Sequence, residues 1–470
     1  MVLNTKAEND ARARTAEAMR SLADWAAGPE ARRAAAPVRR RAAVILADDL
    51  GAMVAGAVEP LVVEAVSRLA RSAGAPEATV FAPGTMRLDR YTAASANGIA
   101  AVWCELDEGF REAPCHAGAY LIPALLAEAE AVGSTVAEVL EAIIIGYEIT
   151  TRIARTFPFA AMTVHPHAAF APIGAAAAVA ALRRQDARTL LGSVSGAASM
   201  VFAGPYNHAL QGALVRNAWT AAGAWVDLRA ADWAEIGIAG LPETTYDTFV
   251  DCFGTAAVPA ALTDGLGEHW GVLGGYHKIF ACCQYAHSAL EATLALRGRP
   301  DAADRLRDLD EIVVETHPRG LTLTTVEPAT VLAAKFSMPH AVAAATLLGT
   351  GGQEAFSSRR LDDPDIADLR HRVRLLPYAP IGAPPNDRPA RVTWRFRDGG
   401  EWSEACESAR GGADQPFDEP TLIDKLAQNS AAVFPAMRGA AEAIIGAVPD
   451  TLERSWAETV RRMAGAGESR

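Results

Sequence analysis

At 470 residues the chain exceeds one ordinary domain and predicts two or three. Half of it is hydrophobic but only 7% is aromatic, and much of the apolar content is alanine and leucine, which favours helices over sheet. A net charge of -12, from 44 basic and 56 acidic side chains, excludes a general nucleic-acid binder, which would need a basic face.

The N-terminal stretch MVLNTKAENDARARTAEAMR is charged and helical and lacks the apolar core of a signal sequence. Residues 10–27 and 30–58 read as helices, the second carrying AAVILADDLGAMVAGA with Asp48, Asp49 and Gly51 inside it. Glycine there costs about 1 kcal/mol relative to alanine, so its presence points to close helix packing. The helical pattern continues through 60–73, 118–132 and 134–157, the last with Ser134 as N-cap and Glu138 a turn later. A His165-Pro166-His167 turn opens two further helices, and 209–231 is another, with Arg216 and Asn217 in an apolar setting. The longest uncharged apolar run, near 168–182, falls short of the roughly 20 residues of a membrane span. These features predict a soluble, cytoplasmic protein.

From about residue 282 the character changes. ALEATLAL and 338–350 are helical, but RLRDLDEIVVETHP, HRVRLLPYA, ARVTWRFRDG and EWSEACES read as strands, the last two joined across Asp398-Gly399-Gly400 as a hairpin. Residues 408–420 read as a linker and 421–464 as helix. The predicted fold is mainly α: a helical domain over 1–275, an inserted α+β domain over 280–410, and C-terminal helices over 415–470 that rejoin the first part.

Four clusters could do chemistry. Glu105, Asp107, Glu108 and His116 occupy a short link between apolar helices, where ionisable groups are costly unless they face a cavity. The bland alternative is a solvated acidic loop. His165 and His167 stand at a helix start, where they could equally serve as caps. Arg216-Asn217 offers a cation that could instead pair with a buried acid. Tyr276-His277-Lys278, followed by Cys282, Cys283 and His287, lies at the seam of the two domains, where small-molecule sites tend to form; the two thiols and His287 read as packed core. Imidazoles beside carboxylates suit proton transfer near neutral pH, and Arg or Lys in a cleft suits carboxylate binding. The six cysteines show no C-x-x-C and no disulfide framework, the histidines show no metal-ligand spacing, and no nucleotide or serine-hydrolase motif appears in a suitable context.

The ordered set AASANGIAAVWCELDEG, CHAGAYLIPALLAEAE, GYEITTRIA, HPHAAFAPIGAAAAVAAL, VRNAWTAAGA, HKIFACCQYAHSALEA and AKFSMPHAVAAATLLG, closed by the RDG hairpin, resembles the MmgE/PrpD family over about residues 40–440. The family includes 2-methylcitrate dehydratase, cis-aconitate decarboxylase and iminodisuccinate epimerase. The resemblance implies a helical domain with a smaller α+β lid, a site between them, a homodimer, and no organic cofactor or required metal. It implies catalytic roles for Asp107, His116, His165 and Lys278 and substrate contacts from Arg216, Glu105 and His340. Three departures stand out: Glu105-Leu106-Asp107-Glu108-Gly109 replaces an Asp-x-Asp-Asp-Thr loop, Val215-Arg216-Asn217-Ala218 replaces Lys-x-x-His-x-Gly, and His340 replaces the tyrosine of Phe-Ser-x-Pro-Tyr. The implied activity is a cofactor-independent lyase, a dehydratase or decarboxylase acting next to a carboxylate on a small di- or tricarboxylate. An epimerase and a catalytically silent carboxylate-binding homologue are the alternatives.

Overall fold

The computed structural model describes residues 6–465, so residues 1–5 of the charged N-terminal stretch and 466–470 of the expected C-terminal segment lie outside the description. Two helices are apolar on every face, Ala117–Val132 and Pro166–Leu182, and a helix of that kind belongs in an interior. They bury nearly every residue and form the centre of the helical part. Helices Val136–Thr156 and Val215–Glu235 pack around them, and Arg90–Ala101 lies between Ala117–Val132 and Ala36–Ala57. Close approach is visible at glycine: a Cβ added to Gly56 would stand 2.1 Å from the Ala100 carbonyl oxygen, and one on Gly51 would stand 3.2 Å from Leu426 Cα. The glycines inside Ala36–Ala57 therefore do mark helix contacts.

Helix starts follow local chemistry, with one correction. The cap expected at Ser134 is Thr135, whose hydroxyl accepts from Glu138 N while the Glu138 carboxylate takes the Thr135 N–H. Ser134 instead belongs to the stop signal of the preceding helix: Gly133 adopts φ +76° and Ser134 N bonds the Ala129 carbonyl. The stretch expected as one helix over 209–231 divides at Gly212, whose φ is +74°, into Asn207–Gln211 and Val215–Glu235.

Beyond residue 286 a four-stranded sheet runs in the order Val373–Pro377, Leu309–Thr316, Ala390–Phe396, Glu401–Cys406. The first pair is parallel and the others antiparallel. Strand Ala390–Phe396 buries alternate residues, as period-two patterning requires. It turns into Glu401–Cys406 through Gly399 at φ +84°, with Gly400 N bonded to the Asp398 carboxylate. Helices His287–Arg297 and Met338–Leu348 pack on this sheet and on each other.

The segment expected as helix over 421–464 is four helices, Glu419–Ser430, Met437–Ile445, Pro449–Leu452 and Trp456–Met463, because Pro435 and Pro449 interrupt the ladder. Glu419–Ser430 lies on Ala36–Ala57, and Trp456–Met463 reaches Ala117–Val132. Among the described residues, no single helix is long and apolar enough to cross a membrane. The one bent pair of sufficient length, Ala36–Ala57 with Pro60–Ala70, turns by 89° and buries most of its first helix in the core.

Candidate active site

The link between helices Arg90–Ala101 and Ala117–Val132 is buried. Glu105, Asp107 and Glu108 are 2%, 0% and 0% exposed, which removes the reading of a solvated acidic loop. The backbone of this link is anchored from outside. Lys335 Nζ donates to the Trp103 carbonyl and Lys425 Nζ to the Leu106 carbonyl, each at 2.7 Å. Glu108 N donates to Asp49 Oδ1 at 3.0 Å, and Gly109–Phe110 pairs antiparallel with Gly275–Tyr276. Glu105 sits at φ +54°, a left-handed conformation uncommon outside glycine, so the surrounding anchors hold it against its own preference.

Two anions and two cations meet here. Arg216 Nη2 lies 2.6 Å from Glu105 Oε1, and Lys278 Nζ lies 3.7 Å from Glu105 Oε2 and 3.4 Å from Asp107 Oδ1. Asp107 Oδ2 is 2.7 Å from His116 Nδ1, which also faces the Glu108 carbonyl at 2.9 Å. With acceptors on both sides, Nδ1 carries the ring proton, and the lone pair is left on Nε2. Burial pushes the Asp107 carboxyl up, but Lys278 and His116 outweigh it and hold the group below the ordinary range. Burial likewise pulls Lys278 down, while Asp107 and Glu105 raise it further and keep it an ammonium.

His165 is the N-cap of helix Pro166–Leu182. Its Nδ1 receives the His167 N–H at 3.1 Å, and its Nε2 lies 3.3 Å from Arg216 Nε. A neutral imidazole accepts at one nitrogen only, so the ring cannot satisfy both donors. Burial, then Arg216, holds it well below the ordinary histidine pKa. His167 lies behind, with Nδ1 2.9 Å from the Tyr120 hydroxyl and its ring 5.1 Å from that of His116. Glu108 accepts from Gly118 N and the Tyr147 hydroxyl, yet burial raises it to about 7, and the adjacent Asp49 is raised well above the ordinary carboxylate value by burial and by Glu108.

These groups border a narrow cleft with about 60 Å³ of room, where one water needs roughly 10–15 Å³. Glu105, His116, His165 and Arg216 line it together with Gln284, Tyr285, Phe336 and Arg388, and the Arg216 guanidinium stands 5.5 Å from the Phe336 ring centroid. Of the residues expected from sequence, Glu105, His116, His165 and Arg216 line the cleft, and Asp107 and Lys278 stand directly behind them. Arg216 pairs with Glu105, the buried-acid alternative open from the sequence, and Lys278 stands between Asp107 and Glu105.

His340 lies elsewhere. Fully buried, its Nε2 meets the Ala355 carbonyl at 2.9 Å and its Nδ1 the Arg370 guanidinium at 3.2 Å, and it does not border the cleft. Its ring is committed to the packing of helix Met338–Leu348. Cys283 does line the cleft, but burial pushes its thiol up to about 12, and Cys282 is raised well above the ordinary value, so neither is poised as a nucleophile. Among the described residues, no group of three or more His, Cys, Asp or Glu is arranged to hold a metal ion. Sequence reading missed Arg388, Tyr285 and Gln284. Arg388 follows Pro384-Pro385-Asn386-Asp387, a turn-forming run with no chemical motif, so only its position in space marks it.

Comparisons with known proteins agree on one family. Models of the MmgE/PrpD N-terminal domain and the MmgE/PrpD C-terminal domain match residues 20–258 and 280–450. The cis-aconitate decarboxylase-like protein oryM of Aspergillus oryzae is 24% identical over 378 residues, covering 75% of this chain and 78% of its own. The cis-aconitate decarboxylase of Aspergillus terreus is 25% identical over 381 residues, covering 73% and 76%.

Proposed function

The chain belongs to the MmgE/PrpD family, and from that premise we propose that it is a lyase of dehydratase or decarboxylase type, acting next to a carboxylate on a small di- or tricarboxylate without an organic cofactor. The observation that carries this reading is the Asp107–His116 pair at the cleft: a buried carboxylate 2.7 Å from Nδ1 of an imidazole that lines the cleft. His116 moves the proton, and Asp107 fixes its orientation and stabilises the imidazolium that forms. In a dehydration, Nε2 takes the proton next to the carboxylate, the C–H electron pair becomes the new double bond, and hydroxide leaves as water with the proton His116 returns. In a decarboxylation, His116 first takes a proton from solvent water, the bond to the departing carboxylate then breaks, carbon dioxide leaves, its electron pair moves into the substrate, and His116 delivers that proton to carbon.

Arg216 and Lys278 act through Glu105 and Asp107 in this reading, holding Asp107 ionised and both acids in place. His165 stays neutral, with both ring nitrogens facing the His167 N–H and Arg216 Nε, and its ring shapes the cleft. An epimerase would need a second group carrying a proton on the opposite face. His165, held neutral by burial and by Arg216, is poorly suited to that, which favours the lyase. Residues 280–410 act as a lid, since a dozen-atom acid exceeds the room in the cleft and must enter before the walls close. The family reading also carries a homodimer, for which the exposed Ile236, Ile238 and Leu241 offer an apolar face.

The test is proton NMR in heavy water with 2-methylcitrate, citrate, cis-aconitate, iminodisuccinate, tartrate and malate. The wild-type protein is expected to form an alkene or a decarboxylated acid from at least one. His116→Asn is expected to cut that turnover by about 10²–10⁴-fold while melting at the wild-type temperature. Absence of turnover with the whole panel, or a His116→Asn protein as active as wild type, overturns the proposal.

A further inference from the structure

We infer that Arg388 is the anchor for a substrate carboxylate in the cleft that His116 also lines. The inference rests on the lyase reading for its substrate class, but its geometry is independent of which bond is broken.

The charges in the cleft are unevenly matched. Arg216 places Nη2 against Glu105 at 2.6 Å, Nη1 against Asn217 Oδ1 at 3.0 Å and the Val102 carbonyl at 3.3 Å, and Nε against His165. Lys278 is fully buried between Asp107 and Glu105 and does not border the cleft. Two cations answer two anions, and a substrate carboxylate approaching Arg216 would meet Glu105 as well.

Arg388 is the cation without such an answer. It is 7% exposed and lines the cleft. Nη1 donates to the side-chain oxygen of Gln284, a neutral partner, and the guanidinium stands over the Tyr285 ring with its centre 5.2 Å from the centroid. The nearest carboxylate, Asp387 Oδ2, lies 3.5 Å from Nε without making a hydrogen bond, and Asp387 is itself held by Arg111 at 2.6 Å. Nε is buried and unpartnered. A buried cation left without a hydrogen-bonded counter-charge is unfavourable in the empty protein. A guanidinium stays protonated throughout the working pH range, so the cost is relieved by an anion and not by loss of a proton.

The ligand chemistry follows from the remaining donor. With Nη1 taken by Gln284 and Nε buried beside Asp387, Nη2 is the donor left to meet a carboxylate oxygen. The side chain is pre-positioned for this. Ser288 Oγ donates to the Arg388 carbonyl at 2.6 Å, and strand Ala390–Phe396 begins two residues later. The cleft thus separates two tasks: proton chemistry at His116 and recognition of a carboxylate at Arg388.

The probe is tricarballylate, a saturated tricarboxylate that has no double bond or hydroxyl to lose, titrated by calorimetry into wild type, Arg388→Gln, Arg388→Lys and His116→Asn. Wild type and His116→Asn are expected to bind alike. Arg388→Gln is expected to bind at least 10-fold more weakly, and Arg388→Lys, which keeps the charge but not the placed guanidinium donor, to fall between. With an acid that turns over, Arg388→Gln raises KM more than it lowers kcat, as loss of uniform binding requires. Wild-type affinity in Arg388→Gln, or no binding of tricarballylate by wild type, overturns the inference. If Arg388→Gln does not fold, Arg388→Lys decides, and wild-type affinity there refutes the guanidinium contact. Binding without turnover of any acid would overturn the lyase reading and leave the anchor standing.

Discussion

Lys278 offers the sharpest test of the charge arrangement. It is fully buried, 3.4 Å from Asp107 and 3.7 Å from Glu105. At an effective dielectric constant of about 20, each contact is worth about 4–5 kcal/mol before its opposing terms. Against these stand the desolvation of the ammonium and the repulsion of Arg216, so the net value of the lysine is far smaller than the sum. Lys278→Met removes the attraction and the desolvation together, but leaves Asp107 and Glu105 facing Arg216 alone. One buried negative charge is then uncompensated, a situation that costs about 3–5 kcal/mol. Asp107→Asn in the same protein removes that charge and should recover at least half of the loss, a coupling of about 2 kcal/mol between the two positions. The assay is urea unfolding of wild type, both single variants and the double variant, followed by tryptophan fluorescence and circular dichroism at pH 7. Coincident transitions from the two probes justify the free energies. A loss below 1 kcal/mol for Lys278→Met, or strictly additive single and double effects, refutes the balanced four-charge arrangement.

Two further predictions concern burial. Glu108 has a folded pKa of about 7 against an ordinary 4.5, so between those values the folded protein holds a proton that the unfolded chain has lost. Stability therefore falls as pH rises through that window, by about 3 kcal/mol in full, and Glu108→Gln should flatten the dependence; an unchanged slope between pH 4.5 and 7 in urea titrations would contradict the assignment. Gly56→Ala gains about 1 kcal/mol of helix propensity but drives a methyl to 2.1 Å from the Ala100 carbonyl oxygen. Separating two packed helices should leave a net loss of about 2 kcal/mol, and a higher melting temperature for the alanine variant would show that the contact yields freely.

The amino-acid sequence by itself determined the helices, the hairpin and the chemical inventory, because each is written in local patterns. Pro166 starts a helix where its missing N–H is harmless, Asp398-Gly399-Gly400 turns a strand, and an apolar 168–182 run has no face to show to water. The ordered motifs were likewise sufficient to place the chain among the MmgE/PrpD proteins, and Asp107 with His116 could be paired because they sit nine residues apart on one link. Even locally the reading stopped short where two signals overlap, as at Ser134, which ends one helix while Thr135 begins the next. Only the tertiary structure decided which charges answer each other. Glu105 meets Arg216 and Asp107 meets Lys278 because helix packing brings together segments far apart in the chain, and no periodicity encodes that choice. The same packing commits His340 to Ala355 and Arg370, although its motif places it near the site, and carries Arg388 from an unremarked loop to the wall of the cleft. Burial then sets the chemistry: a carboxyl group is held low at Asp107, where Lys278 and His116 outweigh burial, and pushed up at Glu108, where burial outweighs its hydrogen bonds and Arg41.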